Sequence, residues 1–88
     1  MTIKRKHYDE IFQLFAKPKT AKESRELLND LLTTHEIEQV VERFQIVKLL
    51  SQGMSQRKVR DELGVSIEKV TRGAKAWRRS KGGFEMAF

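Results

Sequence analysis

The chain has no cysteine, a single proline and no apolar run approaching the length of a membrane span. Without cysteine there are no disulfides and no cysteine-based zinc sites, a composition that suits a reducing cytoplasm. Histidine is nearly as scarce. His7 and His35 fall on different expected helices with no partner pattern around them, which removes the usual support for a zinc site or histidine-based catalysis. Paired catalytic carboxylates are also missing: Glu36 and Glu38 point to different helix faces, and Glu38 with Glu42 reads as a solvated i, i+4 edge. Gly82-Gly83 lacks the strand and helix context of a phosphate loop. Together these absences argue against an enzyme. The basic start, Lys4, Arg5 and Lys6, precedes a segment broken by Asp9, Glu10 and Gln13, so no signal-peptide core is expected there.

What is present is amphipathic helix. With 88 residues, 39% hydrophobic and 34% charged, the chain reads as one small all-α domain over residues 1–88. Residues 7–16 place Tyr8, Ile11, Phe12 and Phe15 on one helical face, and Pro18 ends that helix. Thr20 with Glu23 has the spacing of a capping box and opens a second helix through Leu27, Leu28, Leu31 and Leu32 to Thr33-Thr34. Thr33 with Glu36 repeats the box for a third helix over about 34–52, stopped by Gly53. The apolar residues of that helix, from Ile37 through Val40, Val41 and Phe44 to Ile46, Val47, Leu49 and Leu50, cover more than one stripe, so it is expected to be central and most buried. Apolar faces this wide in so small a chain point to a homodimer, against the alternative of a monomeric bundle. The tail, residues 81–88, carries Gly82, Gly83, Phe84, Met86 and Phe88, and is left with three outcomes: capping the core, touching a partner, or staying loose.

Residues 54–77 carry the functional signal. Ser55 is an N-cap, Val59 and Leu63 share a face, and Gly64 breaks the pattern. Ser66 is a second N-cap, after which Ile67, Val70, Ala74 and Trp77 recur on one side, with Glu68, Arg72, Lys75 and Arg79 on the other. This is the layout of a helix-turn-helix, in which the first helix braces a second whose first residues reach base edges in a major groove. Charge favours that reading over a helical pair that never meets nucleic acid. Between residues 57 and 81 nine Lys or Arg face only Asp61, Glu62 and Glu68, an excess of six that equals the net charge of the whole chain. Positive charge gathered on such a motif is the footprint expected of a protein that meets a phosphate backbone.

The same stretch resembles the DNA-binding segment of the bacterial tryptophan repressor family. The family's M-S-Q-R opening corresponds to Met54-Ser55-Gln56-Arg57, its E-L-G turn to Glu62-Leu63-Gly64, and its T-R-G to Thr71-Arg72-Gly73. Arg43 with Ile46-Val47 resembles the family's long central helix, and Leu32-Thr33 the segment before it; the likeness covers about residues 27–77. It implies an intertwined dimer holding tryptophan between the central and recognition helices. By position, Arg43 and Arg72 would sandwich the indole, Arg72 and Thr33 would meet the carboxylate, and carbonyls near Asp30 and Leu32 of the other subunit would receive the ammonium group. Gly73 would leave room beside the ring and Val47 would line the pocket. On residue type alone, Arg43 reads as a charged edge beside Glu42, and Arg72 as a phosphate contact. For DNA, the matching positions are Gln56, Arg57 and Arg60, then Ile67, Glu68, Lys69 and Thr71. Arg57 suits a guanine edge, and Gln56, Lys69 and Arg60 suit phosphates. Glu68 is open between a cytosine amine, repulsion of wrong sites, and pairing with Arg72.

Three functions follow from these residues. The first is a homodimeric repressor that binds a palindromic operator with L-tryptophan as corepressor. The second is a regulator of the same fold with another small-molecule effector or none, motivated by Ala76 and Asp30, where better-known members carry serine and leucine, and by a tail too short for the family's C-terminal helix. The third, of another class, is a helical module whose basic face meets an acidic protein.

Overall fold

Each α-helix begins where a side chain takes up a backbone N–H group that the helix start leaves unpaired. In the computed structural model, which describes residues 1–88, five α-helices and a terminal 3-10 turn follow one another with no strand. They fall into two units, Met1–Ile37 and Glu38–Phe88.

In the first unit, α1 (Arg5–Phe15) starts two residues before the expected position because His7 Nδ1 accepts from the Lys4 N–H at 2.9 Å. α2 (Ala21–Leu31) is capped by Thr20, whose hydroxyl oxygen accepts from the Glu23 N–H at 3.1 Å. The returning bond from Glu23 goes to the Lys19 N–H at 2.8 Å rather than to Thr20. This helix stops short of the expected Thr33-Thr34. Leu32 is extended, and Thr33 is given over to capping the next helix. Neither α1 nor α2 has a buried residue, and Tyr8, Ile11, Phe12 and Phe15 are all exposed.

The third helix, α3 (Thr34–Ser51), opens on the expected capping box in full: Glu36 N–H donates to Thr33 Oγ1 at 3.2 Å, and Thr33 N–H donates to Glu36 Oε1 at 2.8 Å. It closes at Gly53, whose φ of 90° lets Met54 N–H reach Leu49 O while Gly53 N–H reaches Leu50 O. The expectation that this helix is the most buried needs correction. Only Ile46 and Val47 are buried, while Val40 and Val41 are each 53% exposed and Phe44 is 38% exposed. The helix carries more apolar surface than its neighbours in the second unit cover.

In that second unit, α4 (Gln56–Leu63) and α5 (Ile67–Arg79) start at Ser55 and Ser66, whose hydroxyl oxygens accept from the Lys58 and Lys69 N–H groups, each at 3.2 Å. Gly64 between them adopts φ 66°, a left-handed turn that a side chain would disfavour. Ile46 of α3, Val59 of α4 and Val70 of α5 form the core, with Leu49, Leu50, Met54, Leu63 and Val65 packed around them. α5 approaches α3 closely through Gly73. A Cβ at Gly73 would lie 2.5 Å from Ile46 Cγ2 and 3.3 Å from Ile46 Cβ, so the absent side chain is the space that Ile46 fills.

The tail folds back. After Gly82, at φ 112°, a 3-10 turn over Gly83–Met86 returns Phe84 and Phe88 to Trp77 of α5 and Phe44 of α3. Phe88 stacks on Phe44 with ring centroids 5.7 Å apart and meets the Trp77 ring edge-on at 5.9 Å. The tail is therefore not loose in this structure: it packs on Phe44 and Trp77, beside the core, each aromatic pair adding about 0.5–1.5 kcal/mol beyond its buried area.

Three outcomes are expected. Gly73→Ala should lower stability by about 1–2 kcal/mol by thermal melt, because the clash with a stiff β-branched Ile46 outweighs the roughly 1 kcal/mol helix gain of alanine. Adding Ile46→Ala should restore part of that loss in a double-mutant cycle, and strict additivity would rule the contact out. Hydrogen bonds donated by the Thr33 N–H and the Thr33 hydroxyl hold the Glu36 carboxyl below its ordinary value. The stabilisation is therefore complete above the usual carboxylate range and lost as pH falls through the depressed value. Acidification should deprotect the Thr33 and Glu36 amides in NMR exchange, and Glu36→Gln should flatten that dependence. Finally, Trp77 is the only tryptophan, so Phe84→Ala with Phe88→Ala should red-shift its emission while far-UV dichroism stays helical. An unshifted emission would mean that the tail does not seat on α5 in solution.

Candidate nucleic-acid interface

The burial of α5 decides which of its residues face outward. Val70, Gly73 and Ala74, at helical spacing, are buried, which leaves Glu68, Lys69, Thr71 and Arg72 exposed. Ile67 begins the apolar stripe, yet it is 39% exposed at the helix start. On α4 only Val59 is buried, so Gln56 and Arg57 stand in solvent and Arg60 is half-exposed. All seven residues expected to meet DNA thus lie on the outer sides of two capped helices that share one core. Such an arrangement presents one helix N-terminus with its flanking cations to a duplex groove and rests on the other.

The cations are not equally available. Arg60 pairs with its neighbour Asp61 at 2.9 Å, and Lys69 pairs with Glu42 of α3 at 3.0 Å. Arg57 and Arg72 take part in neither ion pair. Glu68 does not pair with Arg72, one of the possibilities its spacing allowed. The Thr71 hydroxyl donates to the Ile67 carbonyl at 3.0 Å, so its proton is used within the helix and only its oxygen remains to accept. The sequence marks Glu42 only as part of a solvated charged edge. It shared a face pattern with Glu38, and no local spacing linked it to a lysine 27 residues later.

The residues expected around an effector are divided. Leu32 and Thr33 belong to the first unit, and the Thr33 oxygen already accepts from the Glu36 N–H. Arg43, Val47, Arg72 and Gly73 belong to the second unit. Arg43 and Arg72 are exposed, whereas Val47 is 0% exposed and offers no surface to a bound molecule in this conformation. Gly73 and Val47 do come together: the Gly73 Cβ position lies 4.0 Å from Val47 Cγ2. The room expected at Gly73, however, is occupied by Ile46, as the backbones of α3 and α5 need to approach there. Ala76 on α5 is half-buried. A separate open groove of about 560 Å³ beside the tail is lined by Phe44, Lys48, Ser51, Gln52, Ala87 and Phe88, none of them in the expected effector set. No three His, Asp or Glu side chains gather as a metal site, and no helix is long and apolar enough to cross a membrane.

Relatives from three strains of Xylella fastidiosa, each described as "Trp operon repressor homolog", are 35% identical over 68 residues, covering 76% of this chain and 74% of theirs. "Uncharacterized protein YerC" of Bacillus subtilis is 25% identical over 85 residues, covering 97% of this chain and 82% of that protein. No solved structure matches the chain. The family model described as "Trp repressor protein" matches residues 6–88, nearly the whole chain and both units. With its helix-turn-helix at α4 and α5, the chain belongs to the Trp repressor family of DNA-binding transcriptional regulators.

Proposed function

We propose that the protein is a cytoplasmic, homodimeric repressor that reads a palindromic operator with α5 and takes L-tryptophan as corepressor. The observation that carries the DNA role is the outward set Gln56, Arg57, Ile67, Glu68 and Lys69 on two helices fixed by one core. Dimerisation is supported by apolar residues left bare in the single chain, Tyr8, Phe12 and Phe15 on α1 and Val40 and Val41 on α3. Two-fold symmetry of the protein then calls for two-fold symmetry in the operator. Tryptophan is supported by the likeness to proteins named as trp operon repressor homologues and by Arg43 and Arg72, exposed guanidinium groups suited to stacking on an indole.

A second reading, a regulator with a different effector or none, is favoured by one specific observation. Ile46 closes the space at Gly73, and Val47 is wholly buried, so a ring placed there requires α3 and α5 to part.

The experiment is titration of duplex DNA with and without L-tryptophan across a salt series, together with calorimetry. Expected are binding that weakens steeply with salt, as phosphate neutralisation requires, a gain in affinity with tryptophan, and heat on its addition. Heatless titration and unaltered DNA affinity would leave the second reading in possession. Binding indifferent to salt would instead favour a helical module for acidic proteins. Arg57→Ala should remove about 1–3 kcal/mol of discrimination at one base pair, read by comparing operator with a single-base variant.

A further inference from the structure

Two cations on the outward side of α4 and α5 are already matched by carboxylates, and the two pairs differ in kind. Arg60 meets Asp61, its neighbour in the same helix. Lys69 meets a residue of another element: its Nζ donates to both carboxylate oxygens of Glu42 on α3, at 3.0 and 3.2 Å. This is the only ion pair in the structure that joins two helices. It sits at the first turn of α5, where a duplex backbone would pass.

A phosphate oxygen offers Lys69 the same charge and the same acceptor chemistry that the Glu42 carboxylate already provides. While the pair is closed its net charge is zero, so Lys69 displaces no counter-ion from DNA and contributes nothing to sequence-independent affinity. The pair is also exchangeable. The Lys69 and Glu42 side chains remain 46% and 35% exposed, and surface pairs of this kind are worth only about 0–1 kcal/mol.

Resting on the DNA-binding reading above, we propose that Glu42 is a positioning residue whose carboxylate holds Lys69 in the place of a DNA phosphate, and so suppresses binding to arbitrary sequence. On any duplex the carboxylate competes with the backbone for Lys69. Only where the other contacts of α4 and α5 are complete is the helix held close enough for phosphate to displace it. The carboxylate therefore weakens non-specific binding more than operator binding, which is how a repulsive element raises selectivity.

The test is Glu42→Gln, close in shape but uncharged, in the full chain, with affinity for a mixed-sequence duplex measured by fluorescence anisotropy over a salt series. The expected result is tighter binding at low salt and a log K against log salt slope steeper by about 0.9, the value for one further phosphate neutralised. In a Lys69→Gln background the same substitution should leave the slope unchanged. Equal slopes and affinities in wild type and Glu42→Gln, or weaker binding by the variant, would overturn the proposal. A steepening that persists without Lys69 would overturn it too, since Glu42 would then be a general repulsive charge. Failure of wild type and variant alike to bind any duplex would sink the DNA-binding reading together with it. Salt-dependent wild-type binding with an indifferent Glu42→Gln would sink this proposal alone.

Discussion

The contact on which the second unit depends is the close crossing of α5 over α3, where Ile46 occupies the space a side chain at Gly73 would need. Interiors pack at crystal-like density, and a bulky residue on both helices would hold the backbones apart. With glycine on one side, Ile46, Val59 and Val70 meet at a single point and are almost wholly withdrawn from water. Each such burial is worth about 1.5–3 kcal/mol, which is substantial in a unit with so few fully buried residues. Once Val70, Gly73 and Ala74 face inward, helical geometry leaves Glu68, Lys69 and Arg72 no direction but outward.

Two further features restrain α5 from opposite ends. At its start, Lys69 is tied to Glu42 of α3; at its finish, Trp77 lies among Phe44, Phe84 and Phe88. They differ in character. The ion pair is solvated and exchangeable, and so suited to being replaced by a phosphate. The aromatic cluster is apolar and involves no charge pair for salt to screen. The helix is thus held by an apolar cluster at its C-terminal end and by one exchangeable ion pair at its N-terminal end.

Much of the fold was legible in local sequence because caps and breakers act over three or four residues. Thr20, Thr33, Ser55 and Ser66 open helices as their spacing indicates, and Gly53 and Gly64 close them in left-handed conformations. The local signal was weaker where a competing bond shifted a boundary, as with His7 at α1 and Thr33 after α2. The apolar pattern of α3 overstates its burial in the single chain. Apolar periodicity records what a face could bury, not whether a neighbour covers it, and Val40 and Val41 are bare in the single chain.

The sequence by itself determined the helix order, the turn at Gly64, the outward basic residues of α4 and α5, and the family, since these rest on short-range chemistry and on motifs contiguous in the chain. Tertiary structure decided what Gly73 is next to, where the tail lies, and which cation is paired. Ile46 and Gly73, Phe44 and Phe88, and Glu42 and Lys69 are each separated by more than twenty residues, and no periodicity in the chain links such partners. Their meeting is fixed only when the core around Ile46, Val59 and Val70 sets the helices against one another.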